Sequence, residues 1–166
     1  DKRVNTITKT LFKKYKTATG FTKLNEEDIK SVTFFNNKAK NIREAARILV
    51  EKHKGKVPET MEELIALPGI GRKTANAILI NAFDKVAGVV VDTHVLRVSY
   101  RLGLTKNTNP EKVEKDLMAA VPKEKWKRIT WLLKDHGRAV CRAPVPYCSR
   151  CVLNKICPKQ GVMKSL

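Results

Sequence analysis

An all-α fold is what this 166-residue sequence predicts. Over most of its length, apolar residues recur at spacings of three and four, the period of one helix face. Strand-like alternation is confined to the brief "GVVVD" at 88–92. Glycines and prolines fall where helical stretches stop or start, and the connections between those stretches are only a few residues long. A chain of this length forms one domain or two small lobes sharing a core.

The elements follow in chain order. Val4, Ile7, Leu11 and Tyr15 share one face of a first helix. Ile42, Ala45, Ala46, Leu49 and Val50 mark another, with Gly55 as its stop signal. Thr60 followed by Glu63 reads as a capping box that opens a short helix to Leu67. "RKTANAILINAF" at 72–83 is the next helix, and Gly103 closes one that begins near Thr93. Pro110 and Pro122 sit where a first helical turn accepts proline. Trp126, Ile129, Leu133 and Val140 stripe a long last helix.

Aromatic residues make up only 6% of the chain, so the core must be built mainly from Leu, Ile, Val and Ala. The longest apolar stretch, around "VAGVVV", falls far short of the roughly 18 residues of a membrane span. The opening "DKRVNTITKT" lacks the apolar centre of a signal peptide. It also lacks an initiator Met and reads as part of a longer chain. Lys and Arg number 34 against 16 Asp and Glu, a formal charge of +18. So one-sided a surface points to a polyanion, with phosphate backbones ahead of an anionic membrane. A generally Lys-rich proteome is the bland alternative.

"LPGIGRKTAN" at 67–76 joins two helices through a tight turn, a helix-hairpin-helix. Pro68 blocks continuation of the first helix. Gly69 and Gly71 permit positive φ and leave room for another backbone to approach. The turn's N–H groups, at the start of the second helix, suit an anion, above all a phosphate. Such contacts position a protein on a duplex without reading bases.

Cys141, Cys148, Cys151 and Cys157 are the only cysteines, spaced Cys-x6-Cys-x2-Cys-x5-Cys. Four thiols in one short loop point to a metal group. A disulfide pair sits poorly with a basic, intracellular chain. Structural zinc usually takes two close ligand pairs, whereas here one close pair is flanked by wider gaps. An iron–sulfur cubane held by four thiolates fits better, with zinc as the alternative. Arg142, Arg150 and Lys155 lie in the same loop and can meet phosphate.

Together "LPGIGRKTANAIL", "VDTHVLRV" and the cysteine spacing resemble the endonuclease III family of DNA glycosylases, within the helix-hairpin-helix, Gly/Pro-rich-loop, Asp superfamily. "NKAKNI" and "GKVP" extend the likeness over nearly the whole chain. The resemblance implies an all-α fold of two helical lobes with a DNA cleft between them, a helix-hairpin-helix motif and a C-terminal [4Fe–4S] cluster loop. The lobes would be 1–86, a helical barrel with the hairpin at 61–80, and 87–166, with Cys141, Cys148, Cys151 and Cys157 holding the cluster. DNA contacts would come from Leu67, Pro68, Gly69, Ile70, Gly71, Arg72, His94, Arg142 and Arg150. In the family, a helix and a segment carrying a wedge side chain precede the position of Asp1. The stretch "DIKSVTFFNNKAKNI" is short by comparison, with Thr33 where the family tends to have glycine.

The resemblance also places Lys73 at the catalytic lysine and Asp92 at the superfamily's motif aspartate. An amine can displace a damaged base at C1′ of a flipped nucleotide and form a Schiff base. A helix N-terminus favours the neutral amine that attack requires. Asp92 precedes a helix, so it can serve as its N-cap. By resemblance it would also help deprotonate Lys73 and stabilise positive charge on the sugar. His94 and His136 read as structural or phosphate-contacting. The expected activity is a bifunctional DNA glycosylase and AP lyase on oxidised pyrimidines in duplex DNA, cleaving 3′ to the abasic site by β-elimination. The chain would act as a monomer, intracellular and DNA-associated, in the cytoplasm or nucleoid if prokaryotic. One rival is a monofunctional mismatch (T/U) glycosylase of the same superfamily, which uses water and typically lacks the lysine. Another is a cluster-bearing DNA-binding module without catalysis.

Overall fold

The structure, a computed structural model, describes residues 2–166. Among the described residues every regular element is helical: α1 Lys2–Lys14, α2 Ala18–Phe21, α3 Phe35–His53, α4 Met61–Ile65, α5 Arg72–Phe83, α6 Thr93–Arg101, α7 Pro110–Ala120 and α8 Trp126–Ala139. Two 3₁₀ turns, Glu26–Ile29 and Lys123–Lys125, complete the set. The chain divides into two compact units, one ending at Ala75 and the other spanning Asn76–Leu166, so the break falls inside α5. The expected lobe boundary, 86/87, lies just past the other end of that helix.

The first unit is built around Leu11, Tyr15, Leu24, Ile29 and Ala39, with Phe21, Phe35 and Ile42 packed against them. Leu11 is the buried residue of the α1 face read from the sequence. Tyr15 lies just past that helix. Its hydroxyl donates to Asp28 at 2.6 Å and accepts from the Asn25 amide at 3.1 Å. These bonds satisfy a phenol that would otherwise be costly to bury. α2 and the turn at Glu26–Ile29 are each four residues long, too short to show a period, and the sequence reading passed over both. α4 begins as expected. Thr60 Oγ1 accepts from the Glu63 amide at 3.3 Å, but the Glu63 carboxylate takes the Thr60 hydroxyl rather than its amide. The helix ends at Ile65, two residues early, because the chain turns there to bury Leu64 and Leu67.

In the second unit Val89, Val91, Val95, Val98, Val113, Leu117 and Leu133 form the core. "GVVVD" is extended but pairs with no strand. Val89 and Val91 are buried by their alternation, and the Val90 amide donates to Thr130 Oγ1 of α8 at 3.2 Å. α6 and α8 pack at Gly137, where a Cβ would lie 3.0 Å from both His94 Cβ and Val98 Cγ2. A Cβ there would push these side chains back by a few tenths of an ångström, so glycine suits this close packing. Pro110 is in the first turn of α7, capped by Asn109. Pro122 instead caps the 3₁₀ turn that precedes α8. Val140 is the C-cap of α8.

Candidate functional site

The hairpin belongs to the first unit. The Ile70 amide donates to Leu67 O at 3.1 Å, closing the turn. The Ala75 amide reaches Gly71 O at 2.9 Å, so the amides before it have no acceptor within α5. Gly69 has φ +78°, a left-handed conformation that L side chains avoid. A Cβ there would also lie 2.8 Å from Asn41 Nδ2, on α3 beneath the turn. That contact explains why "NKAKNI" accompanies the hairpin. Both glycines permit positive φ, but only Gly69 of the two uses it; Gly71 is not among the positive-φ residues. Open space surrounds its Cβ position, so what Gly71 keeps clear is an approach from outside. Gly69, Gly71, Arg72 and Lys73 are exposed, Leu67 is buried, and Pro68 and Ile70 are half-buried. The Lys73 amine has no hydrogen-bond or ion partner among the described residues.

Asp92 belongs to the second unit and caps α6. Its Oδ1 accepts from the amides of His94 and Val95, each at 2.8 Å. Both bonds go to one oxygen, so the cap aims the carboxylate and leaves Oδ2 outside it. His94, the second residue of α6, is half-buried with Nδ1 3.2 Å from Arg97 Nη2. His94, Arg97, Arg138 and Arg142 line one hollow, which brings together two of the expected DNA contacts.

The cysteine loop follows α8. Cys141, Cys148, Cys151 and Cys157 are half-buried, with no disulfide between them. All four line a single small cavity. Among the described residues no three His, Cys, Asp or Glu side chains converge as the ligands of one metal ion do. Tetrahedral zinc needs its sulfurs at about 2.3 Å from the metal, hence roughly 4 Å from one another. Four thiols around a cavity, rather than around a point, fit a larger polynuclear group. Asn154 also lines this cavity, and its buried Oδ1 has no hydrogen-bond partner. His136 Nε2 lies 3.6 Å from Cys151 Sγ, and burial holds the imidazole below its usual range.

Two arginines of α6 anchor this loop, and the sequence reading missed both. Arg97 Nε donates to Cys141 O at 3.1 Å, and its Nη2 donates to Gly137 O at 2.9 Å. Arg101 donates to Arg142 O at 2.8 Å and to Pro144 O at 3.2 Å. Their i,i+4 spacing on the helix capped by Asp92 is a signal the sequence does carry. Tyr147 was missed as well. The Arg150 guanidinium stacks 4.0 Å from its ring centroid, and Arg142 donates to its hydroxyl at 3.2 Å. One aromatic ring thus gathers the two loop arginines expected at DNA.

The sequence profile of the HhH-GPD superfamily base excision DNA repair proteins matches residues 1–123. Endonuclease III of Synechocystis sp. is 50% identical over 162 residues, spanning 95% of this chain and 74% of that protein. The chain belongs to the endonuclease III family of the HhH-GPD superfamily. Endonuclease III of Bacillus subtilis is 42% identical over 175 residues, covering 99% of this chain and 80% of its own. Among solved structures, a trapped endonuclease III–DNA covalent intermediate superposes with a TM-score of 0.89 at 41% identity, covering 94% of this chain and 75% of that one. A thermostable thymine-DNA glycosylase superposes with a TM-score of 0.82 at 27% identity over the same shares.

Proposed function

We propose that this protein is a base-excision DNA glycosylase and AP lyase in which Lys73 is the nucleophile and Asp92 its partner. The observation that carries the assignment is an exposed, unpartnered lysine amine directly after the hairpin turn. The likeness to a relative trapped in covalent linkage to DNA supports it. The duplex binds by its phosphates, through the turn amides at 69–73 and the basic groups of the cysteine loop. The damaged nucleotide, an oxidised pyrimidine, leaves the stack. Lys73 Nζ bonds to C1′ as the glycosidic bond breaks, and the base departs with the electron pair and takes up a proton. Opening of the sugar ring yields a Schiff base between Lys73 and C1′. The iminium acidifies C2′–H, and loss of that proton expels the 3′ phosphate by β-elimination. Asp92 Oδ2, held by the cap on Oδ1, accepts the amine's proton and faces the positive charge growing on the sugar.

We further infer a [4Fe–4S] cluster on Cys141, Cys148, Cys151 and Cys157. When bound it takes no part in base excision and orders the loop that carries Arg142 and Arg150. Iron and sulfide analysis of anaerobically purified protein tests this, and stoichiometric zinc without sulfide refutes it.

Borohydride trapping on duplex containing one oxidised pyrimidine or one abasic site tests the nucleophile. The unaltered chain forms a covalent adduct. Lys73→Gln forms none and releases no base, yet still binds the duplex. An adduct with Lys73→Gln would assign the nucleophile elsewhere. A chain that releases base without ever being trapped would be the water-using mismatch glycosylase.

A further inference from the structure

Arg101 is a buried cation, 8% exposed, with no acid bonded to it among the described residues. Its guanidinium meets the carbonyl oxygens of Arg142 and Pro144 and, from Nη1, Cys141 Sγ at 3.5 Å. Its own carbonyl accepts from the Gln160 amide at 3.2 Å and from Cys157 Sγ at 3.4 Å. One residue therefore touches the first cysteine and the last, and holds both ends of the loop. Arg97 lies one turn away. Burial first, and then the Arg101 guanidinium itself, push Arg97 below the usual arginine range. Among the described residues Arg97 bonds to the carbonyl oxygens of Thr93, Gly137 and Cys141 and lies 3.2 Å from His94 Nδ1. Two guanidinium groups that repel each other are thus packed behind one loop.

Buried charges persist in proteins when an opposite charge compensates them. Carbonyl dipoles solvate a guanidinium but do not neutralise it. Arg101 lines the cavity; apart from the Tyr147 phenol, the groups there able to carry negative charge are the four thiols. They become thiolates on ligating a metal group. We infer that Arg101 is the counter-charge of whatever the four cysteines hold. Its guanidinium balances the thiolates, while its two carbonyl bonds pin the segment between Cys141 and Cys148. It is a positioning residue of the cofactor site and touches no DNA atom. The inference rests on the cluster assignment made above.

The two roles separate by substitution. Arg101→Lys keeps the charge and loses the fork that grips two carbonyls. Arg101→Gln keeps a donor for those carbonyls and loses the charge. The readouts are the midpoint reduction potential of the bound cluster and the rate at which its visible absorbance bleaches in air. Positive charge favours the reduced cluster, which carries one more electron. Arg101→Gln should therefore lower the potential and bleach about tenfold faster, while Arg101→Lys stays near the unaltered protein on both. Equal shifts in the two variants, or no shift in Arg101→Gln, would overturn the counter-charge role. If Arg101→Gln does not fold, Arg101→Lys decides: unchanged potential supports the role, and loss of the cluster overturns it. Should the unaltered protein hold zinc, the cluster assignment fails separately. The same pair is then read by the rate of zinc release to a chelator, faster for Arg101→Gln alone if the inference holds.

Discussion

Gly69 and Gly71 lie two residues apart in one turn, and replacing them should damage different properties. Alanine at Gly69 would have to adopt φ +78°, which costs about 1–2 kcal/mol for a residue with a Cβ. That Cβ would also lie 2.8 Å from Asn41 Nδ2 and 3.1 Å from Asn41 Cβ. The amide end of Asn41 can swing away, but its Cβ moves only with α3, so overpacking adds about 1–3 kcal/mol. The expected loss is about 2–5 kcal/mol, a fall of roughly 1–2.5 M in urea midpoint at a slope near 2 kcal/mol per M. Alanine at Gly71 meets nothing within 4 Å, and its stability should change by less than about 0.5 kcal/mol. That open space is where a DNA phosphate would approach. A methyl there holds the phosphate off the amides, and losing one charge-assisted hydrogen bond costs about 1.5–3 kcal/mol, roughly 10- to 100-fold in affinity. Urea unfolding and titration of undamaged duplex at fixed salt measure the two effects. The reasoning fails if Gly71→Ala binds as tightly as the unaltered protein, or loses as much stability as Gly69→Ala.

Asp92→Ala removes an oxygen that caps two amides and should cost about 0.5–2 kcal/mol in urea unfolding. Asp92→Asn should keep most of that stability, and single-turnover assays should find both variants nearly inactive in base release. Gly137→Ala would place a Cβ 3.0 Å from both His94 Cβ and Val98 Cγ2. Overpacking should cost about 1–3 kcal/mol, seen as a lower melting temperature. Asp116 accepts from Thr105 and then Asn107, and both bonds hold its carboxyl below the usual carboxylate range. A depressed folded pKa stabilises the protein above the unfolded value of about 3.9 and loses that contribution as pH falls through the folded pKa. The urea midpoint of Asp116→Asn should therefore fall less steeply below about pH 4 than that of the unaltered chain.

The all-α class, the exact span of α5 and the hairpin were legible because they rest on local rules. Helical period, the proline that ends a helix and the glycine that permits φ +78° at position 69 all act within a few residues. The Asp92 cap was legible for the same reason, since the acceptor and its donors lie two and three residues apart. The candidate site was legible by type: a lysine after a Gly-x-Gly turn, and four cysteines in one loop. What each residue meets across the fold was not. Nothing near Gly69 in sequence foretells Asn41, nor does anything near "GVVVD" foretell that it stays unpaired and buries two valines against α6 and α8. Arg97 and Arg101 look like ordinary helical cations in a chain of charge +18. Only folding brings them against Cys141, 44 and 40 residues further along. Contacts of that separation depend on the summed packing of several helices, and it is packing that turns a surface-type cation into a buried one that needs a counter-charge.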